Sequence, residues 1–292
     1  MKLQANTINP GMASPSATHV PDRVEAIGNR EEQTVRPLPA VSRKMLRWFN
    51  WYSRRYIARH FHSLRVSKTD LPFVRSDLPL VVFTNHASWW DPLVGLVLKN
   101  EFYPERTAFM PIDAAALNRY KIFGKLGFFG VEQDNRRGAA QFLRAAESIL
   151  NNSNSLLALT PQGKFRDVRE RPVQFRVGLG HLAARVEHAQ FLPVAIEYAF
   201  WEERLPEILV RFGPAIEVRG NGSATPRYWT AIFEEKLSAA QDALAIDAKN
   251  RKSDDFQFIL RGGAGQGGIY DWWRGLRSKM RGEIFQREHG IK

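Results

Sequence analysis

Short apolar runs at residues 79–84, 107–111, 155–160, 191–198 and 207–212 alternate with helical periodicity at 92–100, 113–121, 138–152, 176–188 and 226–244. Nearly continuous apolar character over five to eight residues suits a strand buried on both faces, as in a sheet covered by helices on each side. Strand-to-helix alternation joins neighbouring strands in parallel through helical crossovers. The pattern therefore predicts an α/β fold: a mixed, largely parallel sheet flanked by helices. At 292 residues and 44% hydrophobic content, the chain can build one core of roughly 200–250 residues and still carry tails. That core is expected over 67–250.

The flanking segments differ in character. Residues 1–40 place Pro10, Pro15, Pro21, Pro37 and Pro39 among polar residues without periodicity, which predicts a disordered leader. Residues 41–66 predict an amphipathic helix, with Met45, Phe49, Tyr52 and Tyr56 at helical spacing beside Trp48, among Arg43, Lys44, Arg47, Arg54, Arg55 and Arg59. Such a helix can pack its apolar side on the core, or lie in a membrane interface with arginines meeting lipid phosphates. Residues 251–292 read as a glycine-rich and then basic extension, ending in the aromatic-cationic run Y-D-W-W-R-G-L-R-S-K-M-R.

Charge narrows the partners. Lys and Arg number 42 against 30 Asp and Glu, a formal net charge of +12, with eight tryptophans. The excess points to anionic partners, and tryptophan interleaved with arginine favours an anionic membrane surface over nucleic acid. No apolar run reaches the roughly 18–20 residues that cross a bilayer. The N-terminus has no apolar signal region. A peripheral protein on the cytoplasmic face of a membrane is expected. The absence of cysteine excludes disulfides and thiolate chemistry.

Chemistry concentrates after the first apolar run, in T-N-H-A-S-W-W-D-P from Thr84 to Pro92. His86 at a strand end, with Asp91 near enough to orient its ring, is a minimal device for taking a proton from a hydroxyl. The same residues also admit a purely structural role. Ser88 as N-cap with Asp91 at the N3 position would start a helix before Pro92 and leave His86 a satisfied strand-end histidine.

Together with three later segments, this stretch resembles the glycerophospholipid (1-acylglycerol-3-phosphate) acyltransferase-like family. The family's N-H-x-S-x-x-D is matched by Asn85, His86, Ser88 and Asp91. Its second motif corresponds to G-F-F-G-V-E-Q-D-N-R-R-G from Gly127; the expected arginine position holds Gln133, with Arg136 and Arg137 just beyond. The third motif, F-P-E-G-T-R in the family, reads T-P-Q-G-K-F-R here. Pro161 and Gly163 match, Gln162 replaces the glutamate, and Phe165 stands in the arginine position between Lys164 and Arg166. The fourth is F-L-P-V-A-I-E-Y, with Pro193.

The resemblance implies an O-acyltransferase that moves a fatty acyl group from acyl-CoA or an acyl carrier protein thioester to a hydroxyl of a lysophospholipid or related glycerolipid. It implies His86 as general base assisted by Asp91. Asn85, Ser88, Arg136, Arg137, Pro161, Gln162, Gly163, Lys164 and Arg166 are the substrate-binding candidates, joined by Arg169 and Arg171 as further charge in the loop. Backbone N–H groups between Thr160 and Lys164 are candidates for holding an oxyanion. No metal or cofactor is implied. The departures at Gln162 and Phe165 leave the acceptor open.

Other readings are weaker. A nucleic-acid-binding protein would account for the charge but not for His86 and Asp91. A thioesterase would use the same base with water in place of the alcohol. The G-x-G-x-x-G at Gly263–Gly268 has only 24 residues after it, too few for a dinucleotide-binding βαβ unit of about 30 residues or more. There is no G-x-S-x-G and no H-E-x-x-H, and His60 and His62, two apart, cannot share a helix face.

Overall fold

The computed structural model describes residues 38–69, 71, 73–132, 135–220 and 224–263. Most of the leader expected over 1–40, most of the G-x-G-x-x-G and the aromatic-cationic tail lie outside these residues. The described elements are α1 (Arg43–His60), β1 (Ser63–Ser67), β2 (Leu80–Thr84), α2 (Asp91–Phe102), β3 (Thr107–Asp113), α3 (Ala114–Arg119), β4 (Phe128–Val131), α4 (Arg136–Leu150), β5 (Ser155–Leu159), α5 (Gly178–Ala183), β6 (Ala189–Ala199), β7 (Glu207–Phe212), β8 (Ile216–Val218), α6 (Pro226–Asn250) and β9 (Phe256–Arg261).

The sheet runs β4-β3-β5-β2-β6-β7-β1-β9, with β8 attached to β6. From β4 to β6 every pairing is parallel; β7 turns antiparallel to β6, β1 runs parallel to β7, and β9 closes antiparallel on β1. This is the mixed, largely parallel sheet that the apolar runs predict. Alternation along β2 shows why its run is unbroken. Val81 and Phe83 enter the core formed with α4, α5 and α6, while Leu80 enters the opposite core, which includes Ile57 of α1 and Leu93, Val94 and Val97 of α2. Each large buried side chain of this kind contributes roughly 1.5–3 kcal/mol.

Two boundaries differ from expectation. The helix expected over 41–66 ends at His60; Phe61 turns extended (φ −125°, ψ 150°), and residues 63–67 become a strand buried along its whole length. The next backbone N–H, that of His62, bonds to Pro206 O at 2.9 Å, so the approach to β7 takes the chain where the helix would have continued. The extension expected from 251 also contributes to the sheet, since Phe256–Arg261 forms an edge strand on β1.

A buried polar cluster holds this half of the sheet. Glu207, 1% exposed, accepts from Arg65 Nη2 at 2.9 Å and from the Ser63 hydroxyl, and lies 2.7 Å from His62 Nδ1. Arg65 reaches on to Ser253 Oγ at 2.6 Å, tying β7 and β1 to the turn before β9. Burial pushes the Glu207 carboxyl up, but the hydrogen bonds from His62 and Ser63 and the Arg65 charge outweigh it and hold the pKa below the ordinary glutamate value. A depressed folded-state pKa means that the unfolded chain binds more protons, so this contribution is present above the ordinary glutamate range and is lost as pH falls through the folded pKa. Glu207→Ala would leave Arg65 buried beside an empty position and is expected to cost about 3–5 kcal/mol. Urea denaturation at pH 7 would measure it, and the difference from wild type should shrink when the titration is repeated in acid.

Candidate active site

Parallel strands β2, β3, β4 and β5 all end on one edge of the sheet, so the loops that follow them gather there. β2 leaves the sheet after Thr84, which is opposite Val194 of β6. Asn85, 2% exposed, then continues the pairing with its side chain: Nδ2 donates to Ile196 O at 2.9 Å, and Ile196 N donates to Oδ1 at 2.9 Å. The carboxamide thereby imitates one peptide of the ladder. The backbone is released while its neighbour stays paired, and His86 emerges at the sheet edge.

His86 Nδ1 lies 2.8 Å from Asp91 Oδ2; the histidine side chain is 21% exposed and the aspartate 3%. Asp91 opens α2, and its carboxylate is favoured by the positive end of that helix. Oδ2 also accepts from Ser88 N at 3.0 Å, and Oδ1 accepts from the Tyr198 hydroxyl at 2.7 Å. Ser88 is not the N-cap. That position falls to Trp90, which makes no side-chain capping bond, while Ser88 Oγ lies 3.4 Å from Trp90 N. Asp91 instead reaches back over the turn, joining the histidine and the helix start in one set of contacts. A carboxylate at Nδ1 keeps the proton on that nitrogen and leaves Nε2 as an acceptor. Burial, then the Asp91 charge and hydrogen bond, raise the Tyr198 pKa far above its ordinary value. The phenol is therefore a fixed donor.

The loop after β5 grips the backbone of the same histidine. His86 N donates to Gln162 Oε1 at 3.0 Å, and Arg166 N donates to His86 O at 2.9 Å. Pro161 O accepts from Arg176 N at 2.8 Å, and Gly163 N closes a turn onto Thr160 O at 3.0 Å. Gly163 has φ +69°, a conformation that favours glycine; a Cβ there would come within 2.3 Å of the end of the Arg176 side chain, which would have to shift. The turn commits the Gly163 N–H, so it does not point toward a substrate as the oxyanion expectation for this loop would have it. Phe165 lies against the imidazole with ring centroids 4.3 Å apart and is 57% exposed.

The site therefore unites Asn85, His86, Ser88, Asp91, Gln162 and Arg166 with Phe165. Lys164 is exposed beside them. Arg166 is paired with Glu170. Arg136 and Arg137 open α4 on the exposed surface. They follow β4, three strands across from β2, roughly 14 Å along the sheet. Gln133 lies outside the described residues. Tyr198 was hidden in the apolar fourth segment, where its only sequence signal was a polar-tipped aromatic ending a buried strand. Among the described residues, no group of three or more His, Asp or Glu side chains is gathered as a metal ion would need.

Residues 65–197 match the family model described as Acyltransferase. This segment begins in β1, ends in β6 and encloses Asn85, His86, Asp91, the Thr160–Arg166 loop and Pro193. No curated protein matches the chain. Among solved structures, the chain is similar to the 1-acyl-sn-glycerophosphate (LPA) acyltransferase PlsC from Thermotoga maritima. The identity is 17% and the TM-score 0.47, with 71% of this chain and 80% of that chain covered.

Tyr198→Phe removes one donor from Asp91 while keeping the ring in place. A hydrogen bond to a charged group is worth about 1.5–3 kcal/mol, so the acyl-transfer rate is expected to fall roughly 10- to 100-fold, with little change in KM. Steady-state kinetics beside a thermal melt would separate this from unfolding. Asn85→Ala, which removes both ladder-like bonds, should instead lower stability by about 2–3 kcal/mol.

Proposed function

We propose that the chain transfers a fatty acyl group from an acyl thioester, acyl-CoA or acylated carrier protein, to a hydroxyl of a lysophospholipid or related glycerolipid. The observation that carries this reading is the His86–Asp91 contact at 2.8 Å, backed by Tyr198 and Ser88 on the same carboxylate. His86 Nε2 takes the proton of the acceptor hydroxyl as its oxygen attacks the thioester carbonyl carbon. Asp91 balances the imidazolium that forms. The tetrahedral adduct then collapses, the carbon–sulfur bond breaks, and the leaving thiolate recovers the proton from His86. The products are the acyl ester and the free thiol.

Asn85 and Gln162 set the position of the histidine backbone in this scheme, and Ser88 steadies Asp91. Pro161 and Gly163 shape the loop above the ring. Lys164 meets anionic groups of the thioester donor. Arg136 and Arg137, farther along the sheet edge, suit the distal phosphates of a long donor better than the reacting centre.

The same reading places the protein on an anionic membrane surface. α1 buries Ile57 and Ser53 and packs Phe49 and Tyr56 inward, yet leaves Trp48 54% and Trp51 59% exposed beside Arg43, Lys44, Arg47 and Arg55. Core packing and interfacial contact thus use different faces of one helix. Trp48, Tyr52 and Tyr56 stack at 5.8 and 5.5 Å, and Tyr56 reaches Trp90 at 5.2 Å, so the aromatic row leads toward the His86 loop. Among the described residues no helix is long and apolar enough to cross a membrane. Attachment from one side by α1 fits this arrangement.

His86→Ala is expected to lower transfer from a labelled acyl thioester to lipid acceptors by about 10²–10⁴-fold. Undiminished transfer would refute the mechanism, and free fatty acid in place of acylated lipid would indicate a thioesterase. Binding to vesicles should require anionic lipid and weaken between low and physiological salt, where the screening length falls to about 8 Å. Trp48→Ala with Trp51→Ala should weaken it further in a sedimentation assay.

A further inference from the structure

We infer that the acceptor is an uncharged lipid alcohol, held against Phe165 rather than by arginines; this rests on the acyl-transfer reading above. The base has one usable edge. Asp91 occupies the Nδ1 side of the His86 ring, and Phe165 lies against the ring at 4.3 Å between centroids. An acceptor hydroxyl must come within about 3 Å of Nε2. Whatever carbon or ring carries that hydroxyl is then brought beside the exposed surface of Phe165. Trp89, three residues beyond His86 and 56% exposed, adds a second aromatic surface to the same loop.

The arginines nearest in the chain face carboxylates of the protein itself. Arg166 pairs with Glu170. Arg169 makes two bonds to Asp167, at 2.9 and 2.7 Å. Arg171 binds Asp242 and the carbonyls of Val168 and Glu170. Hydrogen bonds from Arg169 hold the Asp167 carboxyl well below the usual carboxylate range, and the bond to Asp167 raises Arg169. Exposed pairs of this kind resist a phosphate only weakly; what disfavours a phosphate next to the reacting hydroxyl is the loss of its water against an aromatic face that offers no donor. A sugar ring or an acyl-glycerol backbone presents C–H groups to that face and loses nothing comparable.

The test uses the full chain and three acceptors of equal, short acyl length, below their micelle concentrations: a 1-monoacylglycerol, a monoglucosyl lipid and lysophosphatidic acid. Binding is followed by tryptophan fluorescence, and ester formation is followed separately with a labelled acyl thioester. The expected result is tighter binding of at least one uncharged acceptor than of lysophosphatidic acid. Phe165→Ala should weaken that binding about tenfold, Phe165→Tyr should retain it, and lysophosphatidic acid binding should change little in either variant. The two uncharged arms report whether a sugar or a glycerol backbone occupies the face. Lysophosphatidic acid binding at least as tightly as both uncharged acceptors, or equal loss of all three on Phe165→Ala, would overturn the inference. Binding as expected with no ester formed in any arm would sustain an uncharged lipid as the ligand of the Phe165 face and defeat the acyl-transfer reading instead.

Discussion

The Asp91 carboxylate is the point at which the fold and the candidate chemistry meet. One oxygen takes the histidine ring and the Ser88 N–H, and the other takes the Tyr198 hydroxyl. These contacts bind together the start of α2, the turn leaving β2 and the end of β6. Placed at a helix N-terminus and nearly buried, the group is stabilised by the helix dipole and by directed donors rather than by water. Its two possible roles, starting a helix and orienting a base, are one arrangement seen from two sides.

The rigidity of that arrangement comes from the sheet. Asn85 replaces a peptide in the β2–β6 ladder, so the backbone can depart without leaving buried polar groups unpaired on β6. Gln162 and Arg166, from the loop after the parallel neighbour β5, then bond to both sides of the His86 backbone. The side chain proposed as the base is held by its own main chain on each side. The opposite half of the sheet has a separate device, the Glu207 cluster, which lets a buried arginine and histidine coexist with apolar strands.

Legibility in the sequence followed interaction range. β2, β3, β5, β6 and β7 were readable because each carries enough apolar residues to declare a strand covered on both faces. β1 was not: Ser-Leu-Arg-Val-Ser continues a basic helix by composition, and Arg65 becomes acceptable in a buried strand through partners far along the chain, among them Glu207, 142 residues away, and Ser253. β4 and β8 are too short to show a period, and β9 is sheltered in a segment that reads as an extension. In the site, His86 and Asp91 were visible from residue types and spacing, and the third-motif loop through the family resemblance. Their convergence on the His86 backbone was not.

Taken alone, the sequence determined the α/β class and the basic-aromatic character of α1, and it offered a histidine and an aspartate close enough to pair across one turn. Those properties are set by local periodicity, by charge and by contacts within a few residues. Tertiary structure alone decided that Tyr198 would complete the aspartate's contacts, that Arg136 and Arg137 would stand three strands from the base, and that Phe165 would cover the imidazole. Each of these depends on strand order. Strand order is fixed by which apolar faces pack together and which buried polar groups find partners, and that selection is made over the whole core at once.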